Sequence, residues 1–290
     1  MRVDMIRTRD QLAAHLAEML RHLPYAAHDA RQLVLHACGC SQEDYICRPD
    51  APVSFDSWHR AIRLAERRAG HEPLAYLTRT REFYGRPFFV DHRVLIPRPE
   101  SEHLVERALP FVDDRTLIID VGTGSGALAI TMAALTHHPT VATDCSWRAL
   151  RVAKHNARRH QTPITFRRGH LLSAVQPRDI YGTDRAVIIA NLPYLSQTML
   201  DTSPEEVRLH EPRRALVSDV NDGLDLYREL INHLHRYRHI LPKDRVLIFE
   251  IDPRQESDAT KMARDLAPHA VFSLHDDLAR RPRVVVLEGI

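Results

Sequence analysis

Leu117-Ile118-Ile119-Asp120-Val121-Gly122-Thr123-Gly124-Ser125-Gly126 is the stretch of this chain that decides its fold. A short apolar run ends in a glycine-rich turn, and Ala127-Leu128-Ala129-Ile130 continues as the start of a helix. Glycine permits positive φ and lets a ligand approach the backbone without meeting a Cβ atom. The pattern therefore predicts a buried strand, a ligand-binding turn and a helix.

The spacing of the glycines distinguishes this turn from a dinucleotide site. It reads G-x-G-x-G, whereas the dinucleotide fingerprint reads G-x-G-x-x-G. The closer spacing, with an acid two residues before the first glycine, is typical of S-adenosylmethionine sites. We expect that cofactor to lie with its amino group near Asp120 and to contact Gly122, Thr123, Gly124, Ser125 and Gly126.

A second apolar run, Thr140-Val141-Ala142-Thr143-Asp144, ends in an acid about twenty residues after the turn. A carboxylate at this position can accept hydrogen bonds from both ribose hydroxyls of a nucleoside cofactor. A lone Asp after a strand also serves as a turn or cap residue. At this spacing we expect Asp144 to bind the ribose.

The third motif is Asn191-Leu192-Pro193-Tyr194, which follows the apolar run Ala186–Ala190. Pro193 has a fixed φ and biases the residue before it to extended geometry, which holds the Leu192 carbonyl outward. The Asn191 amide and that carbonyl can accept both hydrogens of a planar NH2 group, and Tyr194 can cover it. This chemistry suits methylation of an amide or an exocyclic amine, so we expect residues 191–194 to be catalytic, with Asn191 also near the cofactor.

Length and composition agree with a soluble globular protein. The chain has 290 residues, 44% of them hydrophobic and 27% charged, with a formal net charge of +2. These values allow one large domain and one small one, and they do not favour direct nucleic-acid binding. The apolar runs are too short for a membrane span, and four cysteines fit a reducing cytoplasm, where we expect the protein. Cys38, Cys40 and Cys47 lack metal-site spacing, so no metal is expected.

Along the chain, residues 1–79 have helical periodicity, residues 80–97 suggest a β-hairpin linker, and residues 98–290 alternate strands and helices. We expect the hairpin to turn at Gly85-Arg86-Pro87, Val94-Leu95-Ile96 to form a short strand, and a helix to span 100–109. The alternation predicts a mostly parallel sheet covered by helices on both faces, with an antiparallel hairpin at its end.

Several segments together resemble the protein-(glutamine-N5) methyltransferases that modify the GGQ motif of peptide chain release factors. The segments are Gly70-His71-Glu72-Pro73-Leu74-Ala75-Tyr76-Leu77, Glu82-Phe83-Tyr84-Gly85 and Leu95-Ile96-Pro97-Arg98-Pro99-Glu100-Ser101-Glu102. The resemblance implies an α/β protein with a Rossmann-like class I S-adenosylmethionine-dependent methyltransferase sheet. It also implies a small N-terminal helical domain for substrate recognition, a release factor as the protein substrate, and a monomer.

The chain departs from the family pattern at three points. Leu192 replaces the first Pro of the usual Asn-Pro-Pro-Tyr, and Glu250-Ile251-Asp252-Pro253-Arg254-Gln255 replaces a Glu-x-Gly-x-x-Gln run. Gly169-His170-Leu171-Leu172 stands where the family has Gly-Asp, whose acid would accept from the adenine amine. His170 can accept through a neutral ring nitrogen, or that contact is absent. His170 and Leu171 are the expected contacts on this side of the cofactor.

Other functions stay open at this stage. Asn-Leu-Pro-Tyr is also typical of rRNA adenine dimethyltransferases, so an N6-adenine methyltransferase acting on rRNA or DNA is one alternative. A ribosomal-protein glutamine methyltransferase is a second, and a cofactor-binding protein that has lost catalysis is a third. In the leading hypothesis Asn191 Oδ1 and the Leu192 carbonyl accept the two amide hydrogens, Tyr194 stacks on the amide, and no general base is assigned.

Overall fold

The computed structural model describes residues 7–218 and 222–290. Two compact units divide them. The first contains the residues up to Thr80 together with Pro204–His210, and the second contains Arg81–Ser203 and Glu211–Ile290. The three-part division into 1–79, 80–97 and 98–290 stays a prediction.

Helices and strands follow one another in the order that the periodicities indicate. The helices are α1 Arg9–Met19, α2 Ala26–Cys38, α3 Gln42–Cys47, α4 Phe55–Ala69, α5 Leu74–Thr78, α6 Glu102–Ala108, α7 Ala127–Thr136, α8 Trp147–Arg159, α9 Gln197–Asp201, α10 Glu205–His210, α11 Asp225–Arg236 and α12 Glu256–Leu266. The strands are β1 Arg81–Phe83, β2 Arg86–Phe88, β3 Thr116–Val121, β4 Thr140–Asp144, β5 Thr165–Arg168, β6 Arg185–Ala190, β7 Asp244–Glu250, β8 Val271–Asp276 and β9 Pro282–Glu288. No helix within the described ranges is long and apolar enough to cross a bilayer.

The first unit is helical and has its own core. Leucines and alanines at helical spacing on α1, α2 and α4 pack together, among them the fully buried Leu12, Leu16 and Leu33. The short helix α10 belongs to this unit. Arg68 on α4 bridges Asp29 at 2.7 Å and Glu206 of α10 at 3.0 Å, so a buried cation has an anion on both sides.

The second unit is built on a seven-stranded sheet with the order β5-β4-β3-β6-β7-β9-β8. Strands β3 to β7 pair in parallel, while β9 runs antiparallel to both β7 and β8. The predicted mostly parallel sheet with an antiparallel end is confirmed. Parallel neighbours require crossover connections, and the helices between them supply the covering layers.

Both faces of the sheet are buried. In β3, Leu117 and Ile119 belong to the apolar cluster that includes α11 and α12, while Ile118 belongs to the cluster that includes α6 and α7. Each fully buried aliphatic side chain contributes about 1.5–3 kcal/mol relative to an exposed one. A strand buried on both faces therefore reads as the continuous apolar run seen in the sequence.

Two local predictions about the linker are wrong. The hairpin turns at Tyr84 and Gly85, which have φ of 51° and 67°, so Arg86 and Pro87 lie in the second strand. The Glu102 carboxylate accepts from the Tyr84 N–H at 2.8 Å and supports that backbone from outside the hairpin. Residues 94–96 form no strand, because the Ile96 N–H donates to a side-chain oxygen of Glu211 at 3.1 Å instead of to a neighbouring strand.

The predicted helix over 100–109 begins later than expected. A 3-10 turn spans Pro99–Ser101, and α6 begins at Glu102 and ends at Ala108. Proline lacks an N–H and prefers the first turn of a helix, which accounts for the tight start. The turn directs the Ser101 side chain into the protein, where it is 4% exposed.

Candidate active site

The glycine turn and the Asn191 tetrapeptide meet at one edge of the sheet. Strands β3 and β6 are parallel neighbours, and Val121 pairs with Ala190 at their carboxyl ends. The chain continues from β3 outward through β4 and β5 and then returns to β6 on the other side of β3. Open α/β sheets bind ligands where the strand order reverses in this way.

Close packing joins the two motifs. Gly122 has a φ of 78°, and a Cβ atom there would lie 2.7 Å from Leu192 Cδ2. The left-handed backbone favours glycine at this position, and any side chain there would also require the Leu192 side chain to shift. The tetrapeptide is thus in direct contact with the turn.

Most N–H groups of the turn are bonded within the protein. Gly122 and Thr123 both donate to the Thr143 carbonyl at 2.9 Å, and Gly126 donates to the Thr123 carbonyl at 2.8 Å. A phosphate-binding loop directs such groups to its ligand. This turn is therefore suited to a ligand without a phosphate at this position.

The buried Asp120 side chain stabilises the glycine turn through hydrogen bonds. One carboxylate oxygen accepts from Thr123 Oγ1 at 2.6 Å and from the Ala129 N–H at 3.1 Å. Burial, with a smaller effect of the Asp144 charge, raises the pKa of Asp120 to about 7. The side chain is buried and does not line the cavity described below, and its predicted contact with a cofactor amino group stays a prediction.

Asp144 stands at the end of β4 with both carboxylate oxygens engaged. Oδ2 accepts from the Gly124 N–H at 3.0 Å, and Oδ1 accepts from the Ser146 N–H at 2.7 Å. Burial raises the pKa of this carboxyl. Each carboxylate oxygen can accept more than one hydrogen bond, so the group can still receive two hydroxyls from a ligand in the cavity.

A cavity of about 1110 Å³ brings most of the predicted site residues together. Its lining includes residues 122–125, Asp144, His170 with Leu171, and residues 191–193. Gly126 lies behind the turn, where a Cβ atom would meet Ile130 and the helix α8. This glycine allows close packing of α7 and α8, and its predicted contact with a cofactor stays a prediction.

The Asn191 side chain has one orientation that satisfies its partners. Its Nδ2 donates to Ser101 Oγ at 2.7 Å and to Glu250 Oε2 at 3.1 Å, while Ser101 Oγ donates to the same carboxylate oxygen at 2.6 Å. A carboxylate only accepts, so the amide must present its nitrogen to Glu250. Both Nδ2 hydrogens are thereby used, and Oδ1 is left as an acceptor in a side chain that lines the cavity.

Glu250 holds the Asn191 tetrapeptide in place through hydrogen bonds. Its second carboxylate oxygen accepts from the Tyr194 hydroxyl at 2.9 Å, and its backbone carbonyl accepts from the Tyr227 hydroxyl at 2.6 Å. The side chain is buried, and this burial raises the pKa of Glu250. The hydrogen bonds from Ser101 and Tyr194 oppose that shift, as expected for donors to a carboxylate.

Leu192 uses the backbone N–H that a proline would lack. This N–H donates to the Tyr227 hydroxyl at 3.1 Å, and the hydroxyl gives its single hydrogen to the Glu250 carbonyl. The Leu192 carbonyl lies 3.5 Å from the same Tyr227 hydroxyl and keeps a second lone pair as an acceptor, while the Leu192 side chain is 4% exposed and packs in the core. The departure at this position therefore adds a hydrogen bond and keeps the carbonyl.

Tyr194 is held at both ends. Its hydroxyl is bound by Glu250, and its carbonyl accepts from Gln255 Nε2 at 2.9 Å. The ring packs against the core and is not among the residues that line the cavity. Its stacking on a substrate amide stays a prediction.

His170 and Leu171 close the other side of the cavity. His170 Nε2 lies 2.8 Å from Glu229 Oε2. Leu171 has a φ of 47°, a conformation that costs a branched side chain of this kind roughly 1–3 kcal/mol. Such strain in a cavity wall is frequent at ligand sites, where backbone groups are held for contact.

Comparisons with known proteins show which family the sequence resembles. The sequence model of the PrmC N-terminal domain matches residues 11–78, and that of ribosomal protein L11 methyltransferase (PrmA) matches residues 104–209. A release factor glutamine methyltransferase of Burkholderia pseudomallei is 39% identical over 233 residues, 77% of this chain and 80% of that protein. The same-named protein of Koribacter versatilis is 33% identical over 275 residues, 92% of this chain and 94% of that protein.

The chain belongs to the release factor glutamine methyltransferase family. By class it is a protein-glutamine methyltransferase, as the motifs indicate. Among solved structures, the hMettl16 catalytic domain with an RNA hairpin has a TM-score of 0.57 at 13% identity and covers 89% of this chain and 91% of that chain. A Pyrococcus furiosus methyltransferase has a TM-score of 0.51 at 13% identity, covering 72% of this chain and 91% of that one. These structures show the fold alone, which confirms the predicted class.

The third departure from the family pattern has a local explanation. Asp252 has a φ of −73°, so its backbone does not require the usual glycine. Its carboxylate accepts from the Arg254 N–H at 3.0 Å, and Gln255 Oε1 accepts from the Asp252 N–H at 2.9 Å. The turn therefore still places the Gln255 side chain where it donates to the Tyr194 carbonyl.

Sequence reasoning missed the side chains that orient the site. Ser101 and Glu250 lie within motifs of the release factor glutamine methyltransferases, but their role behind Asn191 was not foreseen. Tyr227 lies in none of the motifs described in the sequence analysis. A polar side chain on the buried face of α11, or an acid at the end of an otherwise apolar strand such as β7, is the signal that points to such a role.

Proposed function

We propose that this protein methylates the side-chain amide nitrogen (N5) of the glutamine in the GGQ motif of peptide chain release factors, with S-adenosylmethionine as donor. The observation that carries the proposal is the orientation of Asn191. Because Ser101 and Glu250 take both Nδ2 hydrogens, Oδ1 is available in the cavity wall to accept a hydrogen from a substrate amide.

The residues of the cavity fit the proposed cofactor. The N–H groups of Gly122, Thr123 and Gly126 bond within the protein, as suits a ligand with a sulfonium rather than a phosphate at this place. Asp144 offers carboxylate oxygens for the ribose hydroxyls, and the volume of about 1110 Å³ leaves room for a nucleoside beside a substrate side chain. When bound, S-adenosylmethionine supplies a methyl group already activated by its positively charged sulfur.

The protein's own contribution is alignment. Asn191 Oδ1 and the Leu192 carbonyl accept one amide hydrogen each, which turns the glutamine nitrogen toward the methyl group. An amide nitrogen is a weak nucleophile because its lone pair is delocalised into the carbonyl. Orientation by two acceptors favours the geometry in which that lone pair is available, and positioning of this kind can lower a barrier by about 7–11 kcal/mol.

In the transfer, the nitrogen–methyl bond forms as the sulfur–methyl bond breaks in line with it. The methylated amide then loses one proton to water, so no side-chain base is needed. The Glu250 carboxylate is not assigned that role, because it already accepts from Ser101, Asn191 and Tyr194. In this proposal, Glu250 keeps the Asn191 amide oriented so that Oδ1 is available to the substrate.

The relatives favour a protein substrate over the N6-adenine alternative, since proteins 39% and 33% identical to this chain over most of its length are named release factor glutamine methyltransferases. Mass spectrometry of a purified release factor after incubation with the enzyme and S-adenosylmethionine tests the proposal. We expect one added methyl on the GGQ glutamine and none on a release factor in which that glutamine is alanine. Methylation of rRNA instead, or of neither substrate, would contradict it.

A further inference from the structure

We propose that the exposed face of α8 is an electrostatic docking surface for an acidic region of the protein substrate, beside the cavity that receives the substrate glutamine. The inference rests on the proposed function, because it needs a protein whose side chain enters that cavity. It names the kind of surface that the substrate carries near the methylated residue, and it assigns the recognition of that surface to a helix that no catalytic motif includes.

The charge of this chain is unevenly distributed. Residues 145–178 contain eight arginines and lysines and no Asp or Glu. Outside this segment lie the other 32 of the 40 basic residues and all 38 acidic ones, so the rest of the chain has a net charge of −6. The small total of +2 therefore conceals a strongly cationic region in an otherwise anionic protein.

Most of these cations lie on one side of a single helix. Residues three and four apart share a face of a helix, and the opposite face of α8 is buried against the core. The exposed cations of α8 are Arg148, Arg151, Lys154, Arg158 and Arg159. None of these five forms an ion pair with another residue in the part of the chain that the structure describes. Their charge is therefore available to a partner.

The stability of the helix does not account for this face. Like charges three or four residues apart destabilise a helix, and acidic residues between the basic ones would remove that effect. The helix dipole favours Arg158 and Arg159 in the last turn, but it opposes Arg148 in the first turn. An anionic partner compensates both unfavourable terms.

The α8 face is rigid and continuous with the cavity wall. Asn156, on the buried side of α8, accepts from the Phe89 N–H at 2.8 Å and donates to the Phe89 and Ser125 carbonyls at 3.0 and 2.9 Å. These bonds fix the helix to the glycine turn. Trp147 and Arg148 line the cavity, and the other cations extend from there along a helix about 20 Å long. A protein whose glutamine enters the cavity can therefore contact this face as well.

Further arginines continue the cationic surface around the cavity. Arg168 and Arg213 line it, and both bond neutral groups. Arg168 Nε donates to the Cys145 carbonyl at 3.4 Å, and Arg213 donates to Gln197 Oε1. These bonds leave the positive charges uncompensated. Complementary charge on the partner would steer its approach and raise the rate of association.

The composition of the face favours a protein over a nucleic acid. Surfaces that bind single strands combine cations with several aromatic rings on which successive bases stack. Trp147 is the one Phe, Tyr or Trp in α8, and the guanidinium carbons of Arg148 and Arg151 already lie 5.7 and 5.5 Å from its ring centre. The planar guanidinium group also matches the geometry of a carboxylate.

The test compares enzyme variants on a purified release factor in a series of salt concentrations. The α8 variant combines Arg151→Gln, Lys154→Gln and Arg158→Gln, at positions outside the cavity lining. At about 50 mM NaCl its kcat/KM should fall ~10-fold through KM, while kcat and the affinity for S-adenosylhomocysteine stay at the wild-type values. At about 500 mM NaCl the difference should shrink to less than about twofold, because salt screens exposed charges.

The matched control removes the same charge from the other face of the sheet. It combines Arg236→Gln, Arg238→Gln and Lys243→Gln, three exposed cations at the end of α11 and just after it. The α11 helix packs in one apolar cluster, whereas α8 contributes Ala157 to the other. The control should keep the wild-type kcat/KM. An equal loss in both variants, an unchanged kcat/KM in the α8 variant, or a loss confined to kcat would overturn the docking surface.

A labelled single-stranded RNA of about 20 nucleotides, titrated in the same salt series, tests the other kind of occupant. RNA affinity that depends on the three α8 cations, together with an unchanged kcat/KM for the release factor, would replace the acidic protein surface by a nucleic acid. If wild type did not methylate the release factor at all, the proposed function would fail, and the docking inference would fail with it.

Discussion

Asn191 Nδ2 and Glu250 Oε2 lie 3.1 Å apart, joining the carboxyl ends of β6 and β7. This contact decides which atom of the Asn191 amide is available to a substrate. The carboxylate is buried, and a buried carboxylate requires donors. Asn191, Ser101 and Tyr194 supply these donors. The hydrogen bonds that stabilise the buried carboxylate therefore also leave Asn191 Oδ1 available for the proposed chemistry.

The first prediction concerns Asn191→Ala. The variant should lower the rate of methyl transfer to a release factor ~100-fold or more, because a preorganised polar contact to the reacting group is lost. Affinity for S-adenosylhomocysteine should change little, since the turn and Asp144 are untouched. Single-turnover assays and calorimetry measure the two quantities. Activity equal to wild type would eliminate the proposed role.

The second prediction concerns Glu250→Gln. An amide at this position can donate, so it no longer forces the Asn191 nitrogen inward, and kcat should fall ~10-fold or more, the value of a hydrogen bond to a charged group. Cofactor affinity should stay near wild type. Glu256→Gln, at an exposed position in α12, is the matched control. If cofactor affinity and kcat fell together, a general structural role would be the better explanation.

The third prediction concerns Asp144→Ala. Loss of an acceptor for the ribose hydroxyls should weaken S-adenosylhomocysteine binding ~10-fold or more, since hydrogen bonds to charged groups contribute about 1.5–3 kcal/mol each. Removal of the Asp144–Gly124 bond adds to the effect by loosening the turn. Calorimetry measures the affinity, with the exposed Asp258→Ala as control. An unchanged affinity would remove the ribose assignment.

The fourth prediction is a double-mutant cycle on Leu192 and Tyr227. Tyr227→Phe leaves the Leu192 N–H and the Glu250 carbonyl without their partner, at a cost of ~1–3 kcal/mol in the free energy of unfolding. In a Leu192→Pro background there is no N–H to lose its partner, so Tyr227→Phe should cost ~1 kcal/mol less. Urea denaturation of the four proteins measures the cycle. Strictly additive effects would mean that this hydrogen bond contributes nothing.

The fifth prediction concerns the pH dependence of stability through Asp120. Burial raises its folded pKa from the ordinary 3.8 to about 7. Between these values the folded state binds more protons than the unfolded state, so the stability that Asp120 contributes at low pH is lost as the pH rises to about 7. The Asp120→Asn variant has no carboxyl at this position, so its stability does not fall with pH for this reason.

Between pH 4 and pH 7, wild type should therefore lose unfolding free energy relative to Asp120→Asn, by ~4 kcal/mol at most. Denaturant titrations of both proteins at several pH values follow this difference. Parallel stability curves across that range would show that Asp120 keeps an ordinary pKa in the folded state.

Much of this protein could be predicted from local patterns. The apolar run before Gly122 is long enough for a strand buried on both faces, and alternating strand and helix periods require a mostly parallel sheet. The positions of Asp144 and Asn191 at strand ends follow from the same reasoning. Residues at the carboxyl ends of neighbouring parallel strands share one edge, so the sequence could bring them to one cavity.

The linker shows where local reasoning failed. Residues 94–96 have the composition of a strand, but Glu211, which lies 115 residues further along the chain, takes the Ile96 N–H. The hairpin turn shifted to Tyr84 and Gly85 because Glu102 supports the Tyr84 backbone. In both cases a side chain from another element satisfied a backbone group, and no pattern in the segment itself encodes that partner.

The sequence by itself thus determined the family, the sheet and most of the predicted groups that line the cavity, because periodicity and short motifs act over a few residues. Only the tertiary structure decided the orientation of the Asn191 amide, the burial of Asp120 beneath the turn, and the pairing of His170 with Glu229. Those outcomes depend on contacts such as Ser101 with Glu250, which are 149 residues apart in the chain. The physical reason is that an amide or an imidazole takes its orientation from the donors and acceptors that surround it, and packing alone determines which ones do.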